Sequence, residues 1–372
     1  GRVRVDGGVI VNALRRLKDA GQTTFLDYIS RDIILNGELE RLIALGLGGV
    51  TSNPTIFAKA ISGSPHYVES IQNAVNGGLA AEQTYESILV QDIRSAADLL
   101  ADVYEGSERR DGYVSLEVSP RLAHDAPGTI DEALRLWSVV DRPNLMIKVP
   151  ATEEGLGAIT ELTRQGLNIN VTLIFSERVY RAVVRSYVDG LKLRLDAGED
   201  IGGVASVASV FISRIDAALD PILEMKGLAH LVGRTAIANA KMMYQDFKRM
   251  FSGPEWEALE AKGARVQRPL WASTGTKNPS FPDTLYVDAL VGANTVNTLP
   301  RKTLDAVLDH GVTTPTLEQD LDADASILEG ISKSGIDLDA VTDKLLVDGL
   351  ESFSKSYQSL LECVGGTCIG MV

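Results

Sequence analysis

The stretch Asn144-Leu-Met-Ile-Lys-Val-Pro-Ala-Thr152 decides the reading of the chain, because it sets one lysine in the middle of a short apolar run. Leu145, Met146, Ile147 and Val149 predict a buried strand closed off by Pro150. Buried strands seldom carry an ammonium group without a partner or a purpose. Burial disfavours the charged form, so Lys148 is a candidate nucleophile toward a carbonyl. The plainer reading is a strand-end lysine whose stem packs while its head reaches water.

Working outward, strand-like and helix-like segments alternate. Helical spacing over 9–20 stops at Gly21 and is followed by Thr24-Phe-Leu-Asp27. A helix with Leu35, Leu39, Leu42, Ile43 and Leu45 in phase leads to Gly49-Val-Thr-Ser-Asn-Pro54, and a long helix over 83–103 leads to Tyr113-Val-Ser-Leu-Glu-Val-Ser119. The segment 129–140 predicts a helix before the lysine strand, and 155–166 another before Asn168-Ile-Asn-Val-Thr-Leu-Ile-Phe175. Helix 177–197 precedes a strand over 204–211, and helices 214–224 and 228–251 precede Pro269-Leu-Trp-Ala-Ser-Thr274. A short helix over 284–291 leads to the last strand, 295–300.

Eight strands separated by helices in one chain favour an α/β fold, a (β/α)8 TIM barrel with additional N- and C-terminal helices, whose catalytic groups gather at the carboxyl ends of the strands. An open doubly wound sheet is the alternative, but its first strand ordinarily runs into a glycine-rich phosphate turn, whereas this one runs into Leu26-Asp-Tyr-Ile29. We expect residues 1–372 to form a single domain. It comprises a helical leader over 1–22, the barrel over 23–315, and C-terminal helices with a loose tail over 316–372 that pack on the barrel.

The composition is ordinary for a globular chain, with 45% hydrophobic and 23% charged residues. A net charge of -14 repels phosphate backbones and anionic membrane surfaces, so neither nucleic acid nor membrane is an expected partner. An anionic substrate must therefore meet a local cluster of cations. The only two cysteines, Cys363 and Cys368, offer no disulfide framework and point to a reducing, cytoplasmic setting. No apolar run is long enough to span a membrane and the first residues lack a signal-peptide core. His66, His124, His230 and His310 stand far apart without a second ligand at metal spacing, so metal catalysis is disfavoured. Monomer and homodimer both stay open.

Strand side chains alternate between faces, and in a barrel one face meets the interior and the other the helices. Val114, Leu116 and Val118 share one face; Ser115 and Glu117 take the other. Ile169, Val171 and Leu173 likewise oppose Asn170 and Thr172. If the apolar set meets the helices, then Lys148, Glu117, Asn170, Thr172, Asp27, Asn53 and Ser209 converge on the barrel mouth. An amine among acids and amides in a confined interior is suited to imine chemistry. Alternatively, Asp27 and Glu117 merely neutralise the lysine, and the amides and hydroxyls fill layers. Arg214 and Lys277, after the sixth and seventh strands, form a candidate phosphate site. The competing reading pairs Arg214 with Asp216 or Asp220.

The motifs Phe25-Leu-Asp27, Gly49-Val-Thr-Ser-Asn-Pro-Thr55, Val114-Ser-Leu-Glu-Val118, Ile147-Lys-Val149, Asn168 to Phe175, Ser209-Val-Phe-Ile-Ser-Arg214 and Trp271-Ala-Ser-Thr274 stand in the order found in transaldolases. From about residue 20 to 350 the chain resembles the long bacterial transaldolases. The resemblance implies a class I aldolase-type barrel that moves a three-carbon dihydroxyacetone unit between sugar phosphates through a lysine Schiff base, with no metal or organic cofactor. It assigns Lys148 to the imine and Asp27 to the proton of the C4 hydroxyl. Glu117 then acts through a water beside Thr172, while Asn53, Asn170 and Ser209 hold hydroxyls and Arg214 holds phosphate. Many such proteins have a second phosphate-binding arginine where this chain has Lys277, a point charge without a bidentate fork. An aldolase releasing free dihydroxyacetone and a non-catalytic sugar-phosphate-binding barrel are the alternative functions.

Overall fold

The computed structural model describes residues 4–6 and 9–367. Eight parallel strands close on themselves in sequential order: β1 Gln22–Leu26, β2 Gly49–Val50, β3 Tyr113–Glu117, β4 Leu145–Pro150, β5 Ile169–Ile174, β6 Ser206–Phe211, β7 Arg268–Ala272 and β8 Thr295–Leu299. Each strand read from the sequence is present, and β8 pairs β1 in register from Thr295 opposite Gln22 to Leu299 opposite Leu26. Closure leaves no sheet edge and turns every second side chain inward. Ile147, Ile169 and Val171 are fully buried against the surrounding helices, while Glu117, Lys148 and Asn170 stand side by side across β3, β4 and β5.

Helix boundaries depart from the sequence reading where local chemistry overrides periodicity. Val9–Val11 is not helical but pairs antiparallel with Arg4–Asp6. The helix begins at Ala13, where the Asn12 side chain accepts from the amides of Leu14 and Arg15; β-branched Val9, Ile10 and Val11 suit the strand better. The long helix over 83–103 divides into Ala81–Leu99 and Ala101–Gly106. The reading over 228–251 resolves into a 3-10 turn, Ala229–Leu231, and helix Thr235–Met250, parted by Gly233 at a φ of 72°. Alternation in β5 holds through Thr172 and then fails. Leu173 takes a φ of 62°, and the pairing with β6 shifts between Val171 and Ile174.

Beyond the barrel run helices Leu321–Lys333 and Leu338–Glu362. The second does more than pack on the barrel wall. Its Ser352 and Phe353 line the cavity at the mouth, and Gly349 faces Leu173 and Arg214 so closely that an added Cβ would lie 2.9 Å from the Leu173 side chain. Cys363 is buried and carries no free thiol; Cys368 and the rest of the tail lie outside the described residues. Among the described residues, no helix is long and apolar enough to cross a membrane.

Two features tie the frame together. Gly49 lets β1 and β3 flank the two-residue β2, since a Cβ there would sit 2.7 Å from both the Phe25 ring and the Tyr113 carbonyl. Asp216, in helix Ser213–Met225, accepts from the Ala236 amide at 2.8 Å and the Tyr286 hydroxyl at 2.9 Å, joining three segments around the sixth and seventh units. Burial pushes its carboxyl up to about 7, against the opposing pull of the Ala236 hydrogen bond.

Gly49→Ala should lower stability by about 1 to 3 kcal/mol through overpacking, read as a shifted denaturant midpoint at unchanged slope. The raised Asp216 carboxyl stays protonated in the fold after the unfolded chain has ionised. Its contribution is therefore full below about pH 4 and is lost as pH rises through about 7. Asp216→Asn keeps the acceptor without the charge. Relative to the parent, it should gain about 2 to 3 kcal/mol between pH 5 and pH 8 in chemical denaturation.

Candidate active site

Lys148 enters the site from the middle of β4, with its side chain 6% exposed. Its Nζ donates to the Ser52 carbonyl at 2.9 Å and lies 3.4 Å from Glu117 Oε2. The second distance is that of an ion pair rather than a good hydrogen bond. Adjacent strands in register account for the pairing, because Glu117 of β3 stands directly opposite Lys148 of β4. The amine therefore faces inward and meets an acid, as the alternation requires.

The two acids are tuned alike. Burial pushes the Glu117 carboxyl up and the charge of Lys148 pulls it back. Asp27, one residue past β1, is raised by burial against the pull of Lys148 and a hydrogen bond from Thr51. Its Oδ1 accepts from Thr51 Oγ1 at 2.8 Å, and Thr51 Oγ1 in turn meets Thr298 Oγ1 at 2.5 Å. Its backbone amide donates to the Leu299 carbonyl, extending the β1–β8 ladder and fixing where the side chain emerges.

Asn53 caps helix Pro54–Ser62, its Oδ1 accepting from the Ile56 amide, so the Nδ2 end is the one left for a ligand. Asn170 is fully buried. It donates to Ser115 Oγ at 3.0 Å and accepts from Ser209 Oγ at 2.6 Å, a chain that ties β3, β5 and β6 beneath the cavity floor. Glu117 Oε2 and Thr172 Oγ1 are buried without a hydrogen-bond partner among the described residues. Buried polar atoms are rarely left so.

A cavity of about 260 Å³ opens above this floor. Asp27, Asn53, Lys148, Thr172, Ser209, Arg214 and Lys277 line it, whereas Asn170 and Glu117 lie outside its walls. Among the residues that pattern reasoning missed are Thr51, Thr55, Lys59, Phe211, Ser273, Thr298, Ser352 and Phe353. Thr51 and Thr55 lie within the Gly49–Thr55 motif and were findable. Lys59, Ser352 and Phe353 occupy unremarkable helical positions and are brought in only by the fold. A larger groove, of about 1070 Å³, lies between helices Ala81–Leu99 and Ala126–Val140, reaches Ser52 and Glu117, and shares only Asn53 with the mouth cavity. Lys148 borders the smaller cavity alone, so chemistry at the amine belongs there.

Arg214 does not pair with its helical neighbours. Asp216 is occupied by Ala236 and Tyr286, and Asp220 accepts from the Gly233 amide at 3.0 Å. The guanidinium instead lies over the Phe211 ring, 5.2 Å from its centroid, with Asp27 as the charge that supports it against burial. Burial and the charge of Arg214 together push Lys277 down. The cations thus stand beside the cavity without a committed counter-ion.

Sequence comparisons agree with this geometry. The family described as Transaldolase/Fructose-6-phosphate aldolase matches residues 24–364. The chain is 47% identical over 359 residues to the protein named Transaldolase from Thiobacillus denitrificans, covering 95% of this chain and 100% of that one. It is 47% identical over 356 residues to Transaldolase from Thermobifida fusca, covering 94% and 97% of the two chains. With Transaldolase 2 from a Nostoc species the identity is 43% over 371 residues, covering 96% and 97%. With a closed barrel, an inward lysine and these matches across nearly its whole length, the chain belongs to the transaldolase/fructose-6-phosphate aldolase family.

Proposed function

We propose that the protein catalyses the transaldolase reaction of the pentose phosphate pathway. It transfers a dihydroxyacetone unit from sedoheptulose 7-phosphate to glyceraldehyde 3-phosphate, giving erythrose 4-phosphate and fructose 6-phosphate. The observation that carries this reading is the Lys148 amine, inward-facing and 3.4 Å from Glu117, at the base of a cavity whose far side bears free cations.

Lys148 Nζ attacks the ketose C2, and the carbinolamine loses water to give an iminium. Glu117 Oε2, in ion-pair contact with Lys148 Nζ at 3.4 Å, and Thr172 Oγ1, without a hydrogen-bond partner among the described residues, are suited to hold that water and to pass its proton. The Asp27 carboxylate takes the C4 hydroxyl proton, the C3–C4 bond breaks, and its electron pair moves into the iminium to give an enamine. The aldose leaves. C3 of the enamine then adds to the incoming aldehyde, Asp27 returns its proton to the new alkoxide, and water frees the ketose from Lys148. The raised Asp27 carboxyl supports both proton transfers, since a base of higher pKa accepts a hydroxyl proton more readily.

Treatment with borohydride and fructose 6-phosphate should leave a reduced three- or six-carbon adduct on Lys148, located by peptide mass spectrometry. Lys148→Met should give neither adduct nor transfer while keeping the parent circular dichroism. Asp27→Asn should still form the adduct but lose about 10²- to 10⁴-fold in transfer to erythrose 4-phosphate. Glu117→Gln should slow adduct formation itself. Retained turnover in Lys148→Met would move the chemistry elsewhere, and free dihydroxyacetone as the main product with acceptor present would favour the aldolase.

A further inference from the structure

The far side of the mouth cavity gathers three cations from separate parts of the chain. Arg214 comes from the start of helix Ser213–Met225, Lys277 from the loop after β7, and Lys59 from helix Pro54–Ser62 after β2. Arg214 and Lys59 both act to lower Lys277, which places the three charges within mutual reach. In a chain with 50 acidic and 36 basic residues, such a gathering runs against composition. Among the described residues none of the three forms an ion pair, and mutual repulsion at a part-buried site is unfavourable unless an anion joins them.

The fold holds Lys59 toward this site. Thr55, one turn before it, hydrogen-bonds Ser356 of helix Leu338–Glu362 at 2.7 Å, and the same C-terminal helix puts Ser352 into the cavity wall. A phosphomonoester near neutral pH carries about 1.5 to 2 negative charges on three acceptor oxygens. Arg214 offers a planar fork for two oxygens and Lys277 a point charge, so a third cation can meet a phosphate oxygen from another side.

We propose that Lys59 is a specificity-determining cation that joins Arg214 and Lys277 on the phosphate of the sugar substrates and sets the preference for phosphorylated over unphosphorylated sugars. The substrate class rests on the function proposed above; the cation seat itself does not. Lys59 is exposed and its stem can be kept by methionine, so Lys59→Met is expected to fold as the parent does.

Titration calorimetry with inorganic phosphate should show binding weakened about three- to tenfold in Lys59→Met and largely restored in Lys59→Arg. The ratio of kcat/KM for fructose 6-phosphate to that for fructose should fall by a similar factor, mainly through KM. Lys262→Met, an exposed lysine in the loop entering β7 at the other end of the barrel, controls for net charge and should change neither quantity. Unchanged phosphate affinity and unchanged substrate ratio in Lys59→Met would overturn the proposal. So would an equal change in Lys262→Met. If borohydride fails to trap Lys148 yet Lys59→Met loses phosphate, the seat stands and only the reaction falls. If trapping succeeds while phosphate affinity is unaltered, the reaction stands and Lys59 is a bystander.

Discussion

The structure turns on one buried pair, the Lys148 amine beside the Glu117 carboxylate. Taking both charges out of water costs several kcal/mol each, and their attraction roughly offsets this only in good geometry. The contact here, at 3.4 Å, is looser than the best such pairs, so stability alone is a poor reason for it. Its setting requires the whole fold. Ser52, which accepts from the amine, follows β2; Glu117 lies on β3 and Lys148 on β4. Sequential strand order sets those three backbones side by side, and closure of the ring turns these side chains to the centre.

The rest of the interior fits the same constraint. Asn170 uses its amide on both sides, bridging Ser115 and Ser209, and so fixes β3, β5 and β6 relative to the lysine strand between them. Thr51 and Thr298 do the equivalent work for Asp27. Glu117 Oε2, in ion-pair contact with Lys148, and Thr172 Oγ1 lack a close hydrogen bond, as do other buried atoms such as Thr24 Oγ1 and Asn297 Nδ2. An unsatisfied buried polar atom costs about 1 to 3 kcal/mol; those of Glu117 and Thr172 lie on the strands that flank Lys148. Held open toward a reactant, the same two atoms need no reorganisation when it arrives.

Much of this was legible because strand parity is a strict rule. A period of two told which side of β3 and β5 faced inward, and the register Glu117–Lys148–Asn170 followed once the sheet closed. The rule failed at Leu173, where a left-handed residue breaks the alternation; nothing in a leucine announces a positive φ. Helical periodicity was a weaker guide, since Val9–Val11 fits a helix face but pairs as a strand, and the turn at Gly233 splits what reads as one helix. Least legible were contributions from distant chain. Ser352 and Phe353 join the cavity because a helix well beyond the last strand lies over the mouth, and sequence spacing carries no trace of that crossing.

Arg214 has no carboxylate partner within its own helix. Two carboxylates stand two and six residues beyond it, neither at the three- or four-residue spacing that brings helical side chains together. Asp216 instead binds the Ala236 amide and the Tyr286 hydroxyl, and burial lifts it to about 7, which makes it a poor counter-ion even where it is near. Asp220 is spent on the Gly233 amide. The guanidinium is left over an aromatic face, a contact that orients it without cancelling its charge. Both acids are thus used to pin the surrounding segments. The same bonds therefore brace the sixth and seventh units of the barrel and leave a positive charge facing the cavity for an anion to meet.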